Sequence, residues 1–206
     1  MNAAAKKQLI TGLIGNIELA IDAPEHAPIG VALVAHPHPL YGGTMDNKVA
    51  QTLARVMVEL GYVAVRPNFR GVGQTAGEHD HGVAETQDML HVIDWMRTQW
   101  PADLPLVLAG FSFGSFVQSH VAAALALRNQ PVKRMIMVGT AAGKWDVAAV
   151  PSDTIVIHGE LDDTIPLHDV LRWAEPLELP VTVVAGADHF FHRRLILLKN
   201  IINQQW

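Results

Sequence analysis

Pro105-Leu106-Val107-Leu108-Ala109-Gly110-Phe111-Ser112-Phe113-Gly114 is the stretch that decides the architecture. It begins as an apolar run without alternation over Pro105 to Gly110, the pattern of a strand buried on both faces. It ends in Gly-x-Ser-x-Gly, and the alanine-rich segment that follows reads as a helix over 115–128. A strand that enters a helix through so short a connection needs a very tight turn. Side chains at the two flanking glycines would meet the neighbouring backbone there. Such a turn lifts the Ser112 hydroxyl out of the sheet. The first N–H groups of the helix then point toward charge developing beside it. Glycines that serve close packing alone would explain the motif but not its place between a strand and a helix.

Working outward, strands and helices alternate in both directions. Upstream, residues 8–14 and 16–22 read as a strand pair joined near Gly15-Asn16, Gly30 to His36 as a buried strand, and Tyr62 to Pro67 as another. Asn47 caps a helix that runs to Leu60 and stops at Gly61. Residues 82–100 read as an amphipathic helix with Val83, Met89, Leu90, Ile93, Trp95 and Met96 near its apolar side. Downstream, Met135 to Val138, Thr154 to Ile157 and Val181 to Val184 read as strands, and 167–174 and 193–205 as helices. The pattern predicts an α/β fold with a doubly wound, mostly parallel eight-stranded sheet, in one domain over 1–206.

Composition narrows the function classes. Of 206 residues, 50% are apolar and 17% charged, a globular composition with ample material for a core. The formal net charge is −5 and no Lys/Arg run is present, so nucleic acid is not an expected partner. The absence of cysteine removes disulfides, thiolate catalysis and cysteine-based metal sites. The apolar run after Lys6-Lys7 is broken by Gly15-Asn16 and Glu18, too early for a secretory signal, and no apolar stretch is long enough to span a bilayer. A soluble, cytoplasmic protein without a membrane or an obligate protein partner is expected.

A nucleophilic serine needs a base, and the base needs an orienting carboxylate. Both follow Ser112 in chain order, each after a later strand. The first is in His158-Gly159-Glu160-Leu161-Asp162-Asp163-Thr164-Ile165-Pro166, the second in Ala187-Asp188-His189-Phe190-Phe191. The segment 158–166 resembles the His-Gly-x-x-Asp-x-x-Val/Ile-Pro signature of α/β-hydrolases, in which Asp162 matches the acid and His189 the base. Glu160 and Asp163 compete for the acid, with capping of the next helix as their alternative role. His192 competes for the base, with a place at the surface or at the start of the last helix as its alternative. Two more segments carry the resemblance, His36-Pro37-His38-Pro39-Leu40-Tyr41-Gly42-Gly43-Thr44-Met45 and Arg66-Pro67-Asn68-Phe69-Arg70-Gly71-Val72-Gly73. Together they are similar to small, lidless bacterial serine hydrolases related to dienelactone hydrolases, over nearly the whole chain. Only Thr140 to Asp153 separates two consecutive strands where such enzymes often insert a lid, so a fold without a lid or cap is expected.

The resemblance implies hydrolysis of small to medium carboxylic esters or thioesters through an acyl-enzyme, with a small molecule as substrate. It implies neither a metal nor an organic cofactor. Two backbone N–H donors should hold the oxyanion, one from Phe113. The other should come from the loop after His36, where Pro37 and Pro39 have no N–H, which leaves His38 or Leu40. Tyr41, Phe111, Phe113 and Trp145 could line an acyl pocket. A catalytically silent scaffold that binds a ligand is the alternative, since a fold does not prove an activity.

Three further features suggest other chemistry. His36-x-His38 could be a metal pair, but no further ligands follow at the required spacing. His79-Asp80-His81 reads as a solvated loop at a helix entry. Gly71-Val72-Gly73-Gln74-Thr75-Ala76-Gly77 departs from the dinucleotide fingerprint by one residue and reads as a loop bordering the site.

Overall fold

The computed structural model describes residues 5–206. Eight strands form one sheet: β1 Lys6–Thr11, β2 Asn16–Asp22, β3 Gly30–Ala35, β4 Tyr62–Pro67, β5 Leu106–Phe111, β6 Arg134–Val138, β7 Ile155–Gly159 and β8 Val181–Val184. Their spatial order is β1-β2-β4-β3-β5-β6-β7-β8. From β4 to β8 all neighbours are parallel, whereas β2 runs antiparallel to both β1 and β4. The sheet is therefore mixed, and mostly parallel as the alternating pattern predicts. Five helices cover it: α1 Lys48–Glu59, α2 Val83–Gln99, α3 Phe113–Leu127, α4 Leu167–Ala174 and α5 Leu195–Gln205. None is long and apolar enough to cross a membrane.

Strand alternation divides the core in two. On β5, Leu106 and Leu108 face the layer of α2, α3 and α4, packing with Met89, Ile93, Val117, Val121 and Val170. Val107, Ala109 and Phe111 face the layer of α1 and α5, with Leu53, Met57, Leu198 and Ile202. Every residue of β3, β4 and β5 is buried, which explains their apolar runs without alternation.

Element ends differ from expectation in instructive ways. The first hairpin turns at Gly12–Gly15, where the Gly12 N–H meets the Gly15 carbonyl at 2.6 Å, so β1 ends three residues early. Asn47 caps α1 as read, its Oδ1 accepting from Val49 N at 2.9 Å, a contact worth about 1 kcal/mol. Val83, expected on the apolar side of α2, is its first residue and is 65% exposed. α3 begins at Phe113, immediately after Ser112, rather than at 115. Between β6 and β7 the chain makes turns only, with no inserted cap.

Candidate active site

Ser112 stands where β5 becomes α3. Its φ of 55° places a non-glycine residue in the left-handed region, at a cost of about 1–3 kcal/mol that the surroundings must offset. They do so by close packing. A Cβ at Gly110 would fall 2.5 Å from the Gly114 carbonyl oxygen, and one at Gly114 would fall against the carbonyls of Ala35 and His36. The serine carbonyl is held as well, accepting from Ser115 N at 2.9 Å and from Ser115 Oγ at 2.6 Å.

Asp162 and His189 converge on this serine. His189 Nε2 lies 3.0 Å from Ser112 Oγ and its Nδ1 lies 2.7 Å from Asp162 Oδ2. With Nδ1–H donating to the carboxylate, Nε2 is left to accept the serine proton. The loop after β7 fixes Asp162: its Oδ1 accepts from Thr164 N at 2.9 Å and Ile165 N at 2.7 Å. The loop after β8 carries His189, whose ring packs 4.9 Å from Phe111 beneath it. Gly139, with φ 54°, leaves room beside it, since a Cβ there would lie 3.2 Å from His189 Cε1.

The rival carboxylates do other work. Glu160 accepts from Gly186 N at 2.9 Å and Asp163 accepts from Thr164 Oγ1 at 3.3 Å, so neither caps α4 and neither reaches His189. His192 pairs with Asp188 at 2.7 Å on the surface, before α5 begins.

The loop after β3 holds the second wall. A 3₁₀ turn spans Pro39–Tyr41, and a Cβ at Gly43 would strike the Pro37 and His38 carbonyls, so this loop folds tightly on itself. Leu40 does not fit the oxyanion role: its N–H points to His38 Nδ1 at 3.3 Å, and its side chain is 69% exposed. The N–H groups of Phe113 and His38 have no hydrogen-bond partner among the described residues.

A cleft of about 490 Å³ opens above Ser112, with Phe113, His38, Tyr41, Trp145, Lys144 and Phe190 around it. Phe111 is not part of it. The residue before Ser112 continues the odd-numbered row of β5 and is fully buried on the α1/α5 side. The lining includes no Asp or Glu.

The remaining histidines are also informative. His36 is fully buried; its Nε2 accepts from Phe69 N at 2.9 Å and its Nδ1 donates to the Pro37 carbonyl at 2.6 Å. Burial lowers its pKa to about 4, so the ring is neutral and both nitrogens are engaged, which leaves no lone pair for a metal. His158, in β7, is the histidine of the 158–166 signature, to which the sequence assigns no role. It is buried, its Nε2 2.9 Å from the Ile165 carbonyl and 3.4 Å from Asp162 Oδ2. Desolvation holds its pKa below the ordinary imidazole value. His79, expected in a solvated loop, has a side chain only 5% exposed and bonds Glu85 Oε1 through Nδ1 at 2.8 Å. The signature marks His158 but not its partners, and nothing in the sequence around His79 shows that it is buried.

A serine, an imidazole and a carboxylate joined in line, on the strand–helix turn of a mostly parallel sheet without a cap, define a serine hydrolase-like protein of the α/β-hydrolase fold. The X-Pro dipeptidyl-peptidase (S15) family matches residues 16–150, and the chain belongs to that family. It is 38% identical to a lidless α/β serine hydrolase from Xanthomonas campestris, with a TM-score of 0.89 over 100% of this chain and 94% of that one. An α/β serine hydrolase homologue from Coxiella burnetii is 36% identical, with a TM-score of 0.84 over 98% and 97% of the two chains. An uncharacterized protein of Rickettsia prowazekii is 32% identical, covering 86% of this chain and 78% of its own length.

Proposed function

We propose that the protein hydrolyses small to medium carboxylic esters or thioesters through an acyl-enzyme on Ser112. The observation that carries this reading is the unbroken line Ser112–His189–Asp162, at 3.0 and 2.7 Å, on the floor of an open cleft. Ser112 Oγ attacks the acyl carbon while His189 Nε2 takes its proton. Asp162 holds the ring and stabilises the imidazolium. The N–H groups of Phe113 and His38 receive the oxyanion. His189 returns the proton to the leaving alcohol or thiol, and the acyl group stays on Ser112. Water, deprotonated by His189, then releases the acid.

Family membership supplies a second reading, release of an N-terminal dipeptide. A dipeptidyl-peptidase must recognise a free α-ammonium group, which calls for a carboxylate near the reacting serine. The absence of Asp and Glu from the cleft lining favours the ester over the dipeptide.

Fluorophosphonate labelling tests the core of this reading, because only an activated serine reacts. The wild-type protein labels at Ser112, whereas S112A keeps its fold, fails to label and loses about 10⁴-fold or more in turnover. An unlabelled wild-type protein would instead indicate a silent binding scaffold. A panel of nitrophenyl esters and thioesters of increasing chain length, with an X-Pro nitroanilide beside them, tests the substrate class. Faster turnover of the anilide than of every ester overturns the ester assignment.

A further inference from the structure

The loop between β4 and α2 has no part in the reaction as described, yet it ends in a buried hydrogen-bonded centre. Glu85, in the first turn of α2, is fully buried. Its carboxylate accepts from Asp80 N at 2.9 Å, Gly82 N at 2.8 Å and His79 Nδ1 at 2.8 Å. Three donors on one carboxylate fix the chain from 79 to 82 and, with it, the His79 ring. The ends of the loop are also tied down. Arg70 forks onto Asp88 at 2.9 and 3.0 Å, and Asp80 Oδ2 accepts from Ala84 N at 3.2 Å. A Cβ at Gly82 would overlap the Phe116 ring, so the turn is pressed against α3 as well.

The direction of the His79 ring gives this centre a use. Its centroid lies 4.7 Å from the His38 ring and 5.4 Å from the Phe113 ring. His38 and Phe113 are the two residues whose backbone N–H groups receive the oxyanion in the proposed reaction. Their rings also touch each other, 4.8 Å apart. His79 packs against both, and its Nε2 is a buried atom with no hydrogen-bond partner among the described residues. A buried nitrogen without a partner is costly, roughly 1–3 kcal/mol, and it is kept here.

We propose that Glu85 and His79 form a positioning unit for the oxyanion hole, holding His38 and Phe113 at a fixed separation through ring packing. This inference rests on the serine-hydrolase reading above. His79 does not line the cleft and touches no reacting atom. A misplacement on the ångström scale costs a transition-state contact far more than it costs ground-state binding. Loss of the unit therefore lowers kcat and leaves KM nearly unchanged.

The test compares wild type, H79A and H79N on a nitrophenyl ester, with competent sites counted by fluorophosphonate titration so that unfolded protein is not scored. H79N can keep the Nδ1-type hydrogen bond to Glu85, and with it the loop, but has no ring. Both variants are expected to lose about 10- to 100-fold in kcat per titrated site, with KM within about twofold. Inhibition by a phenylboronic acid, whose tetrahedral adduct needs the oxyanion hole, weakens by the same factor. Wild-type kcat per site in H79N, or a fall carried by KM alone, overturns the proposal. Failure of the serine-hydrolase reading gives a different result, since the wild-type protein would then neither label nor turn over.

Discussion

Two buried carboxylate–imidazole pairs in this molecule have nearly the same geometry and different consequences. Asp162 and His189 meet at 2.7 Å, Glu85 and His79 at 2.8 Å, and all four side chains are at least 95% buried. In each, the nitrogen near the carboxylate is committed to it. The far nitrogen makes the difference. In His189 it faces the Ser112 hydroxyl at the floor of the cleft; in His79 it is buried and has no hydrogen-bond partner among the described residues. A carboxylate behind an imidazole is therefore not enough to make a base. The surroundings of the second nitrogen decide whether the pair can move a proton or only hold a shape. A third pair, Asp188 with His192 at 2.7 Å, marks the limit of the series, since it lies at the surface.

This comparison can be broken most severely at Asp162. D162N leaves the loop but removes the acceptor that sets the His189 tautomer, and turnover should fall by about 10⁴-fold with little change in thermal stability. Retention of more than a tenth of the activity would show that Asp162 does not orient the base. A second test uses the buried histidines as a group. His36 has a folded pKa of about 4 against 6.5 unfolded, so between these values the unfolded chain binds more protons. Stability should therefore be fully present above pH 6.5 and fall as pH drops toward 4, by roughly 3 kcal/mol from this residue. His158, also held down by burial, acts in the same direction. Urea unfolding at pH 7, 5.5 and 4 reads the loss, and H36N should flatten it; an identical slope in H36N would remove His36 from the account.

Smaller effects sharpen the contrast further. G139A places a methyl group 3.2 Å from His189 Cε1 at a positive φ, pushing the ring off the serine. About a tenfold loss of kcat is expected, with a melting temperature lowered by a few degrees. H192A removes only the exposed pair and should leave turnover within about twofold. A large loss in H192A would move the base from His189 to His192.

Much of this was legible in the sequence because tight geometry leaves few residue choices. Gly110 and Gly114 are glycine because backbone lies where their side chains would be, so the turn beneath Ser112 announces itself. Asp162 and His189 follow in order after apolar runs. The second donor of the proposed oxyanion hole was narrowed by two prolines to His38 or Leu40, and only the structure shows the Leu40 N–H turned to the His38 ring. Phe111 was misplaced because the period-2 alternation of a strand shows which residues share a face but not which face meets the cleft. The roles of His79, His158 and Glu85 were illegible for a related reason. A buried polar residue is recognised by its partners, and these are brought together by the fold rather than by spacing along the chain.

The contact of Gly114 with the end of β3 has a consequence for how such a protein can diversify. The turn under the serine and the chain at Ala35-His36 meet backbone to backbone, with no side chain between them. The approach of this turn to the end of β3 is thus independent of the side chains on the rim of the cleft. Tyr41, Lys144, Trp145 and Phe190 stand on the rim, outside that contact. Substrate preference can then drift through changes at the rim while the chemistry beneath is inherited intact.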